Sequence, residues 1–305
     1  MDPKITKLPR VSVITVSFNI EEFVERTILS VIDQKRYVDF EYIVVDGGST
    51  DKTMSIIERY RDQIDIIVSE KDDGQYFAIA KGMQLAKGDI LCWINADDIL
   101  MPWTVSQVQT IFAQFPEVDW ITGSPSFLNQ SGHLTQVHSK LPAYPLRFIK
   151  NGWYQKGLAG YLQQENMFWR RTLWEECGGL NTKYKLAADF DLWKRFADVS
   201  ELVAIDVPLA AFRERIGEQR SSKLADAYQK EVAEICKLAP APPLIWSLLC
   251  STGAIGVSVA QMLIFRRTPG IYFSRRQSRW KMVRNLRSIA RIDFSRLIVE
   301  RLLRR

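Results

Sequence analysis

Short apolar runs alternate with amphipathic stretches over the first 122 residues of the chain. Five runs rich in β-branched residues predict buried strands at 11–16, 41–45, 64–69, 90–94 and 118–122. Apolar residues at helical spacing predict the intervening helices, which follow Asn19, pass through Ile56 and Tyr60, cover 75–86 and run from Pro102 to about Phe115. The Asn19 and Glu22 pair is a capping pattern for the first helix. Strands and helices alternating in this way predict an α/β fold with a mostly parallel sheet and helices on both faces.

Polar residues follow three of these strands at the point where each strand ends. They lie at 17–19, 46–48 and 95–98. Because ligands bind at the carboxyl ends of parallel strands, three such loops on one edge favour a binding site. Asp97 and Asp98 repel each other unless a cation lies nearby, and such oxygen ligands suit Mg²⁺ or Mn²⁺ bound to substrate phosphates. The alternative is that Asp98 only caps the next helix and Asp97 is solvated.

Composition narrows the class of protein. The chain has 305 residues, of which 47% are hydrophobic and 25% charged, so we expect a folded protein rather than a disordered one. The four cysteines form no CxxC pair, which argues against a disulfide framework or a structural zinc site and fits a reducing compartment. No apolar run precedes Val11, so we expect no secretory signal. The absence of GxGxxG and GxxxxGK[ST] motifs disfavours a dinucleotide-binding dehydrogenase and removes the P-loop NTPases.

The net charge of +6 is unevenly distributed along the chain. Residues 266–305 contain 13 Lys and Arg residues but only two acidic residues. The preceding 22 uncharged residues, 244–265, are long enough as a helix to span a bilayer. A spanning helix, an interfacial or re-entrant hairpin and a buried soluble helix remain open there. Residues 274–305 predict a basic amphipathic helix of the kind that lies on membranes. We therefore expect membrane association through 244–305 at the cytoplasmic face of the cell membrane.

Seven segments resemble, in order, motifs of the GT-A glycosyltransferases of family 2, which build bacterial polysaccharides. They lie at 13–19, 44–51, 69–75 together with 80–82, 93–100, 163–171, 178–180 and 187–193. The resemblance covers roughly residues 9 to 222. It implies a Rossmann-like GT-A catalytic domain over 1–225, with a nucleotide-sugar half at 9–122 and an acceptor half at 123–225. A helical, membrane-associated region would follow at 226–305.

The resemblance also implies an activity. The protein would transfer a hexosyl or N-acetylhexosaminyl group, with inversion, from a nucleotide sugar, expected to be a UDP-sugar. The acceptor would be a hydroxyl of a glycan or lipid-linked molecule in cell-surface polysaccharide or glycolipid assembly. Two other classes stay open: a catalytically silent nucleotide-sugar-binding or scaffold protein, and a membrane-anchored nucleic-acid-binding protein. We expect no nucleic-acid partner, because few aromatic residues interleave the arginines and no RNA-binding fold precedes them.

The resemblance assigns roles to individual residues on the donor side. Asp46 would accept the N3–H of uracil, and Phe18 would stack on the base unless it is a core aromatic. The other expected donor-binding residues are Ser17, Asn19, Asp72, Lys81, Asn95 and Ala96. Lys81 has the alternative of being a solvated charge on its helix.

Further roles concern metal, base and acceptor. Asp97 would hold Mg²⁺ or Mn²⁺ across the donor phosphates, with Asp98 as the second metal-side residue. Asp189 is the expected general base and Asp191 the fallback: an extended segment would put both on one face, whereas a helix would separate them. Gln164 and Glu165 would hold acceptor hydroxyls, or form a polar pair at a strand edge.

Related enzymes often carry a metal-contacting histidine near 212–215. The only histidines here are His133 and His138, and neither lies in that place. We therefore expect Arg213 or Arg215 to neutralise the diphosphate, or water to complete the metal coordination.

Overall fold

The computed structural model describes residues 7–137, 141, 143–155, 158–215, 224–244, 248 and 268–286. The strands are β1 (Val11–Ser17), β2 (Glu41–Asp46), β3 (Ile66–Ser69), β4 (Ile90–Asn95), β5 (Ile99–Leu100), β6 (Trp120–Thr122), β7 (Ser126–Leu128), β8 (Leu134–Val137), β9 (Met167–Arg170), β10 (Val203–Ile205), β11 (Ala210–Arg213), β12 (Thr268–Ser274) and β13 (Arg279–Leu286). The α-helices are α1 (Val24–Ile32), α2 (Thr53–Glu58), α3 (Gln75–Leu85), α4 (Thr104–Gln114), α5 (Leu146–Lys150), α6 (Arg171–Glu176), α7 (Ala188–Val199) and α8 (Ala225–Ile235). Short 3₁₀ turns lie at Asp33–Arg36, Arg61–Gln63 and Gln164–Asn166.

The larger sheet of the described part has the order β3-β2-β1-β4-β9-β6-β10-β12-β13. Strands β9 and β13 run antiparallel to their neighbours and the other pairs are parallel. Residues of α1 and α4 pack on one face, and residues of α3 and α7 on the other. The predicted mostly parallel α/β sheet, covered on both faces, is therefore confirmed. The strand order reverses between β1 and β4, which is where open α/β sheets form a ligand crevice.

A smaller sheet, ordered β5-β11-β7-β8, lies beside the end of β4. Strand β11 pairs antiparallel with β5, so that Ala211 lies opposite Ile99. This pairing brings a segment more than a hundred residues downstream back to the 95–98 loop.

Aromatic packing joins β4 to α7. Trp193 of α7 stacks on Trp93 of β4, with ring centroids 5.7 Å apart and an interplanar angle of 8°. Its indole also stacks on that of Trp120, at 5.9 Å and 21°. Trp93 lies two residues before Asn95, the first residue of the 95–98 loop, and Trp193 follows Asp189 by one helical turn. Offset stacking of buried rings therefore sets the distance between these two functional segments.

The first helix begins differently from its prediction. Helix α1 starts at Val24, and no side chain caps its first turn. Asn19 is instead turned towards the next loop with a positive φ of 45°, and its Oδ1 accepts a hydrogen bond from Thr50 N at 2.8 Å. The capping prediction for Asn19 is wrong because a longer-range backbone donor takes its side chain.

The C-terminal prediction is wrong over residues 274–286. Strands β12 and β13 form an antiparallel hairpin there, in place of the predicted amphipathic helix. Trp280 and Met282 pack against the core of the large sheet, while Arg279 is exposed on the alternate face. Period-two alternation thus prevailed over the helical pattern. Residues 287–305 lie outside the described part.

The uncharged run is described only at Leu244 and Leu248, so 245–247 and 249–265 lie outside the described residues, as does His138. No helix in the part that the structure describes is both long and apolar enough to cross a bilayer. Helix α8 packs on α7, where Val232 joins Ala187 and Phe190 in a small apolar cluster. The division of the chain at residue 225 stays a prediction.

Candidate active site

Asp46 is the most heavily bonded acid of the site. The register of β1, β2 and β3 places Ser17 and Ser69 beside it. Its Oδ1 accepts hydrogen bonds from Ser17 Oγ at 3.0 Å and Ser49 Oγ at 2.5 Å. Its Oδ2 accepts from Gly48 N at 3.0 Å, Ser49 N at 2.8 Å and Ser69 Oγ at 3.0 Å. With five protein donors and no exposed surface, Asp46 shapes the loop after β2.

The loop after β1 is tied to that second loop. Asn19 N donates to Ser49 Oγ at 2.8 Å, and Asn19 Oδ1 accepts from Thr50 N. Phe18, between the bonded Ser17 and Asn19, is 62% exposed. It is therefore not the core aromatic that the sequence left open, and its ring is free to stack.

Asp72 and Lys81 flank the second loop on its other side. A Cβ on Gly47 would lie 2.9 Å from Asp72 Oδ2, so the glycine allows the two loops to approach closely. Asp72 Oδ1 accepts from Gly74 N at 2.8 Å. Lys81 forms an ion pair with Glu70, which lies just beyond β3.

Asn95 connects three parts of the site. Its Oδ1 accepts a hydrogen bond from Gln75 Nε2 at 2.6 Å, at the start of α3. Its Nδ2 lies 3.4 Å from both Asp98 Oδ2 and Gln164 Oε1. Ala96, by contrast, is 3% exposed, its side chain lies in the core, and its N–H donates to Val16 O. The expected donor contact of Ala96 is therefore not supported by its position, because neither its methyl group nor its N–H is open.

The two adjacent acids have different surroundings. Asp97 Oδ2 forms an ion pair with Arg215 Nε at 3.0 Å, and the carboxylate retains 18% exposure. Asp98 is 1% exposed, and its Oδ1 accepts from Arg213 N at 2.8 Å. Arg213 is itself buried, and its Nε donates to Asp97 O at 2.6 Å. The structure thus divides the predicted pair: Asp97 is partly exposed, while the buried Asp98 joins the loop to β11 through its Oδ1, and its part in metal binding stays a prediction.

Glu165 brings a third acid into the same region. It is 3% exposed, and its Oε1 has no hydrogen-bond partner among the described residues. Burial raises its pKa to about 8, and the charge of Asp97 adds to this shift. Burial and the charges of Asp97 and Glu165 raise the pKa of Asp98 well above its usual range. Burial also raises the pKa of Asp97, against the opposing charge of Arg215.

Gln164, next to Glu165, is largely engaged. Its Nε2 donates to Trp93 O at 2.7 Å, and its Oε1 accepts the longer bond from Asn95. This amide joins the acceptor half of the chain to β4.

Asp189 lies in the first turn of α7. Its Oδ1 accepts hydrogen bonds from Tyr76 Oη at 2.9 Å and from Phe190 N at 2.8 Å. Burial raises the pKa of Asp189, and the hydrogen bond from Tyr76 opposes this shift. Asp189 is thus a half-buried carboxyl in contact with α3, the helix whose first residue also contacts Asn95.

Asp191 faces elsewhere because the segment is helical. Its Oδ2 pairs with Arg195 one turn later, at 2.8 Å. The helix separates the two acids, and of the two Asp189 alone contacts α3. Asp189 is therefore engaged with α3 and is not an exposed charge at the start of its helix.

Comparison with known proteins places this geometry in a family. The model of glycosyl transferase family 2 matches residues 12–176, more than half of the chain. The chain belongs to glycosyl transferase family 2. An uncharacterized glycosyltransferase of Mycobacterium tuberculosis (strain H37Rv) is 32% identical over 213 residues, covering 68% of this chain and 76% of the relative. TuaG of Bacillus subtilis (strain 168), described as a proposed teichuronic acid biosynthesis glycosyltransferase, is 36% identical over 93 residues, covering 30% of this chain and 36% of its own.

Solved structures share the fold of the transferase. S. aureus TarS 1–349, crystallised with UDP-GlcNAc, aligns with a TM-score of 0.60 at 17% identity, over 84% of this chain and 76% of TarS. The mannosyltransferase PcManGT of Pyrobaculum calidifontis, in complex with GDP-Man and Mn²⁺, aligns with a TM-score of 0.55 at 19% identity, over 85% and 76%. The predicted GT-A fold is confirmed.

Two residues of the transferase's site were not found from its sequence. Tyr76 contacts Asp189, and Glu231 of α8 binds the turn before α7. The helical register of α3 puts Tyr76 on its buried side and could have suggested the first. The contact of Glu231 spans 44 residues and left no local signal.

Proposed function

We propose that this transferase is an inverting, metal-dependent enzyme that moves a sugar from a nucleotide sugar to an acceptor hydroxyl. The observation that carries the proposal is the half-buried Asp189 carboxyl, linked through α3 to the loop that bears Asp97. Tyr76 bonds Asp189 and the adjacent Gln75 bonds Asn95. A proton acceptor and a phosphate-side acid are thus held by one helix.

Asp189 acts as the general base. It takes the proton of the acceptor hydroxyl while the acceptor oxygen forms a bond to the anomeric carbon. The bond from that carbon to the diphosphate oxygen breaks, and its electron pair leaves with the nucleoside diphosphate. A carboxyl whose pKa is raised by burial holds the proton more strongly than an ordinary one, which favours this transfer. A single displacement opposite the leaving group inverts the anomeric configuration.

Asp97 is the residue that would hold the divalent cation. No three His, Cys, Asp or Glu side chains within the described ranges form a complete metal cage. Mg²⁺ needs only one or two carboxylates when substrate phosphates and water supply the rest. The open Asp97 and the unpartnered Glu165 Oε1 fit such a cation. When bound, Mg²⁺ or Mn²⁺ would neutralise the charge that develops on the diphosphate.

Arg215 adds a positively charged side chain next to Asp97, where the cation would bind. Its guanidinium pairs with Asp97, so a diphosphate held at Asp97 would lie within its reach. Arg213 is committed to the backbone and buried. Of the two arginines, we therefore assign Arg215 to the diphosphate.

The nucleotide contacts follow from which side chains remain open. The five internal hydrogen bonds of Asp46 make it a support for the loop, and its contact with uracil stays a prediction. Phe18 is exposed, so its ring can stack on a base. Asp72 lies against Gly47 of the neighbouring loop. A UDP-sugar is our proposed donor, since TarS was crystallised with UDP-GlcNAc; PcManGT, with GDP-Man, makes guanine the competing base.

The proposed acceptor is a glycan or lipid-linked molecule of the cell surface, with Gln164 on its side of the site; the acceptor contact of Glu165 stays a prediction. The likeness to TuaG supports a polysaccharide. Action at the cytoplasmic membrane face stays a proposal, which separation of the full chain into soluble and membrane fractions would test.

A donor panel tests the function directly. Purified protein is heated with UDP-GlcNAc, other UDP-sugars and GDP-mannose, with and without Mn²⁺, because a ligand of the folded state raises its melting temperature. We expect the largest rise with a UDP-sugar and Mn²⁺, release of nucleoside diphosphate, and an inverted anomeric centre by NMR. Mn²⁺-dependent UDP binding without turnover of any donor would instead support the catalytically silent alternative.

A further inference from the structure

The turn that leads into α7 depends on a carboxylate from a distant helix. The residue before α7 is Ala187, whose side chain has no oxygen to bind the free N–H groups at a helix start. Glu231 of α8 does not cap the helix itself but binds the three N–H groups just before it. Its Oε1 accepts from Lys185 N at 2.9 Å, and its Oε2 accepts from Leu186 N at 2.9 Å and Ala187 N at 2.8 Å.

The same helix is anchored on both sides of Glu231. Val232 is buried against Ala187 and Phe190, so α8 cannot slide along α7 without losing apolar contact. Glu234, one turn after Glu231, forms an ion pair with Lys183 at 2.5 Å. Glu234 thus contacts the same loop through a side chain, whereas Glu231 binds its backbone.

The turn also determines where the Asp189 carboxylate lies. Asp189 follows Ala187 by two residues and bonds Tyr76 Oη, which lies 3.0 Å from Leu186 O as well. Lys185 Nζ donates to Asp73 O at 3.3 Å, so the turn contacts the loop before α3 too. A shift of residues 185–187 would therefore move Asp189 relative to α3 and to the donor side of the site.

We propose that Glu231 is a positioning residue for Asp189. By binding three successive backbone N–H groups, it holds the 185–187 turn in the one conformation that brings Asp189 against Tyr76. This inference rests on the proposed function, in which Asp189 is the base. Glu231 does not touch the reacting atoms. Helix α8, although it lies beyond the segment matched by the family model, is then part of the catalytic apparatus.

The test compares Glu231→Ala and Glu231→Gln with the matched control Glu234→Ala. The glutamine variant keeps one acceptor oxygen for Leu186 and Ala187 but presents its NH₂ group to Lys185 N–H. With UDP-GlcNAc, or the UDP- or GDP-sugar that gives the highest turnover, we expect kcat to fall about 10–100-fold in the alanine variant, because misplacement by about 1 Å costs that much. The glutamine variant should fall between it and the wild type. Donor Kd should stay within about twofold for all three, and Glu234→Ala should keep kcat within about twofold, because the donor loops are untouched.

Amide hydrogen exchange of the same proteins supplies a readout that needs no turnover. Residues 185–187 should exchange faster in Glu231→Ala than in the wild type, and Glu234→Ala should leave them protected. Unchanged exchange at 185–187, or faster exchange with unchanged kcat, overturns the positioning role. An equal loss of kcat in Glu234→Ala would also overturn it, since it would reflect general loosening of α8. A wild-type protein that turns over no donor defeats the proposed function itself, which is a different result from an active wild type with an active Glu231→Ala variant.

Discussion

Asp46 and a cluster of three other acids occupy the same sheet edge and differ in how many hydrogen-bond donors satisfy their charge. Asp46 has five protein donors on its two oxygens and no exposed surface. Asp97, Asp98 and Glu165 lie within electrostatic reach of one another, and burial raises the pKa of all three. These four acids thus lie at the same edge of the sheet, but Asp46 has far more hydrogen-bond donors than the acids of the cluster.

The difference separates support from chemistry. A carboxylate with every oxygen bonded is a rigid part of its loop and gains little from a ligand. Acids that repel one another in a buried place are stabilised by any cation or proton that arrives. We therefore expect the loss of Asp46 to affect folding, and the loss of the Asp97 or Glu165 charge to affect catalysis or pH dependence.

The largest effect should come from Asp97→Asn, which removes the open charge of the carboxyl group. We expect kcat/KM to fall about 10³-fold, the scale of losing a principal stabiliser of transition-state charge. The melting temperature should hold. Asp98→Asn is the matched control: its amide oxygen can still accept from Arg213 N, so activity should stay within about tenfold of the wild type. Equal losses in both variants would remove the distinction between the two acids.

Asp46→Ala should have the next largest effect, and on stability. Buried donors would be left without partners, so we expect the free energy of unfolding to fall by about 3 kcal/mol and the melting temperature by about 6–12 °C. Thermal denaturation without donor measures this. Asp62→Ala, at an exposed acid, should change the melting temperature by less than about 2 °C. A stable Asp46→Ala protein that fails only to bind UDP would show that Asp46 recognises the base and does not support the loop.

Glu165→Gln should sharpen the comparison through pH. The folded-state pKa of Glu165, about 8, lies above the ordinary value of 4.5, so its stabilising contribution is complete below the lower value and is lost as pH rises to about 8. Glutamine removes this loss. In EDTA at pH 9 we expect the variant to melt about 5 °C above the wild type, with little difference at pH 5. Glu176→Gln, at an exposed acid, should follow the wild type at both pH values.

Tyr76→Phe should have the smallest effect. The hydrogen bond from Tyr76 lowers the pKa of Asp189, so its removal raises that pKa. Because the base must be ionised, the acidic limb of the kcat profile should move to higher pH while the rate at high pH changes little. Tyr37→Phe, at an exposed tyrosine, is the control. A limb that does not move would mean that another group governs it.

Much of the donor half could be predicted because its signals are local. The apolar runs that became β1 to β4 are continuous, and the polar residues after them stand at the strand ends by sequence alone. What could not be predicted depends on contacts between distant segments. Asparagine often caps helices, yet the side chain of Asn19 accepts its hydrogen bond from Thr50 N in the next loop. The hydrogen bond of Asp98 to Arg213 N joins residues 115 positions apart, so no local pattern contains it.

The C-terminal segment shows how two periods can compete. Arg279, Trp280, Lys281 and Met282 fit either an amphipathic helix or a strand with alternating faces. Pairing with β12 selected the strand, and Trp280 lies in a T-shaped contact with Phe273 at 5.5 Å. The pattern of one segment cannot decide between helix and strand here, because the decision depends on pairing with β12.

The most direct test of the account is donor turnover by Asp189→Asn beside Asp191→Asn. Nucleoside diphosphate release is measured with Mn²⁺ and the best donor of the panel, together with the donor Kd. We predict that Asp189→Asn binds the donor within about twofold of the wild type but turns over at least about 100-fold more slowly, the scale of losing a general base. Asp191→Asn should keep most of its rate. Full activity in Asp189→Asn, or loss only in Asp191→Asn, would contradict the account.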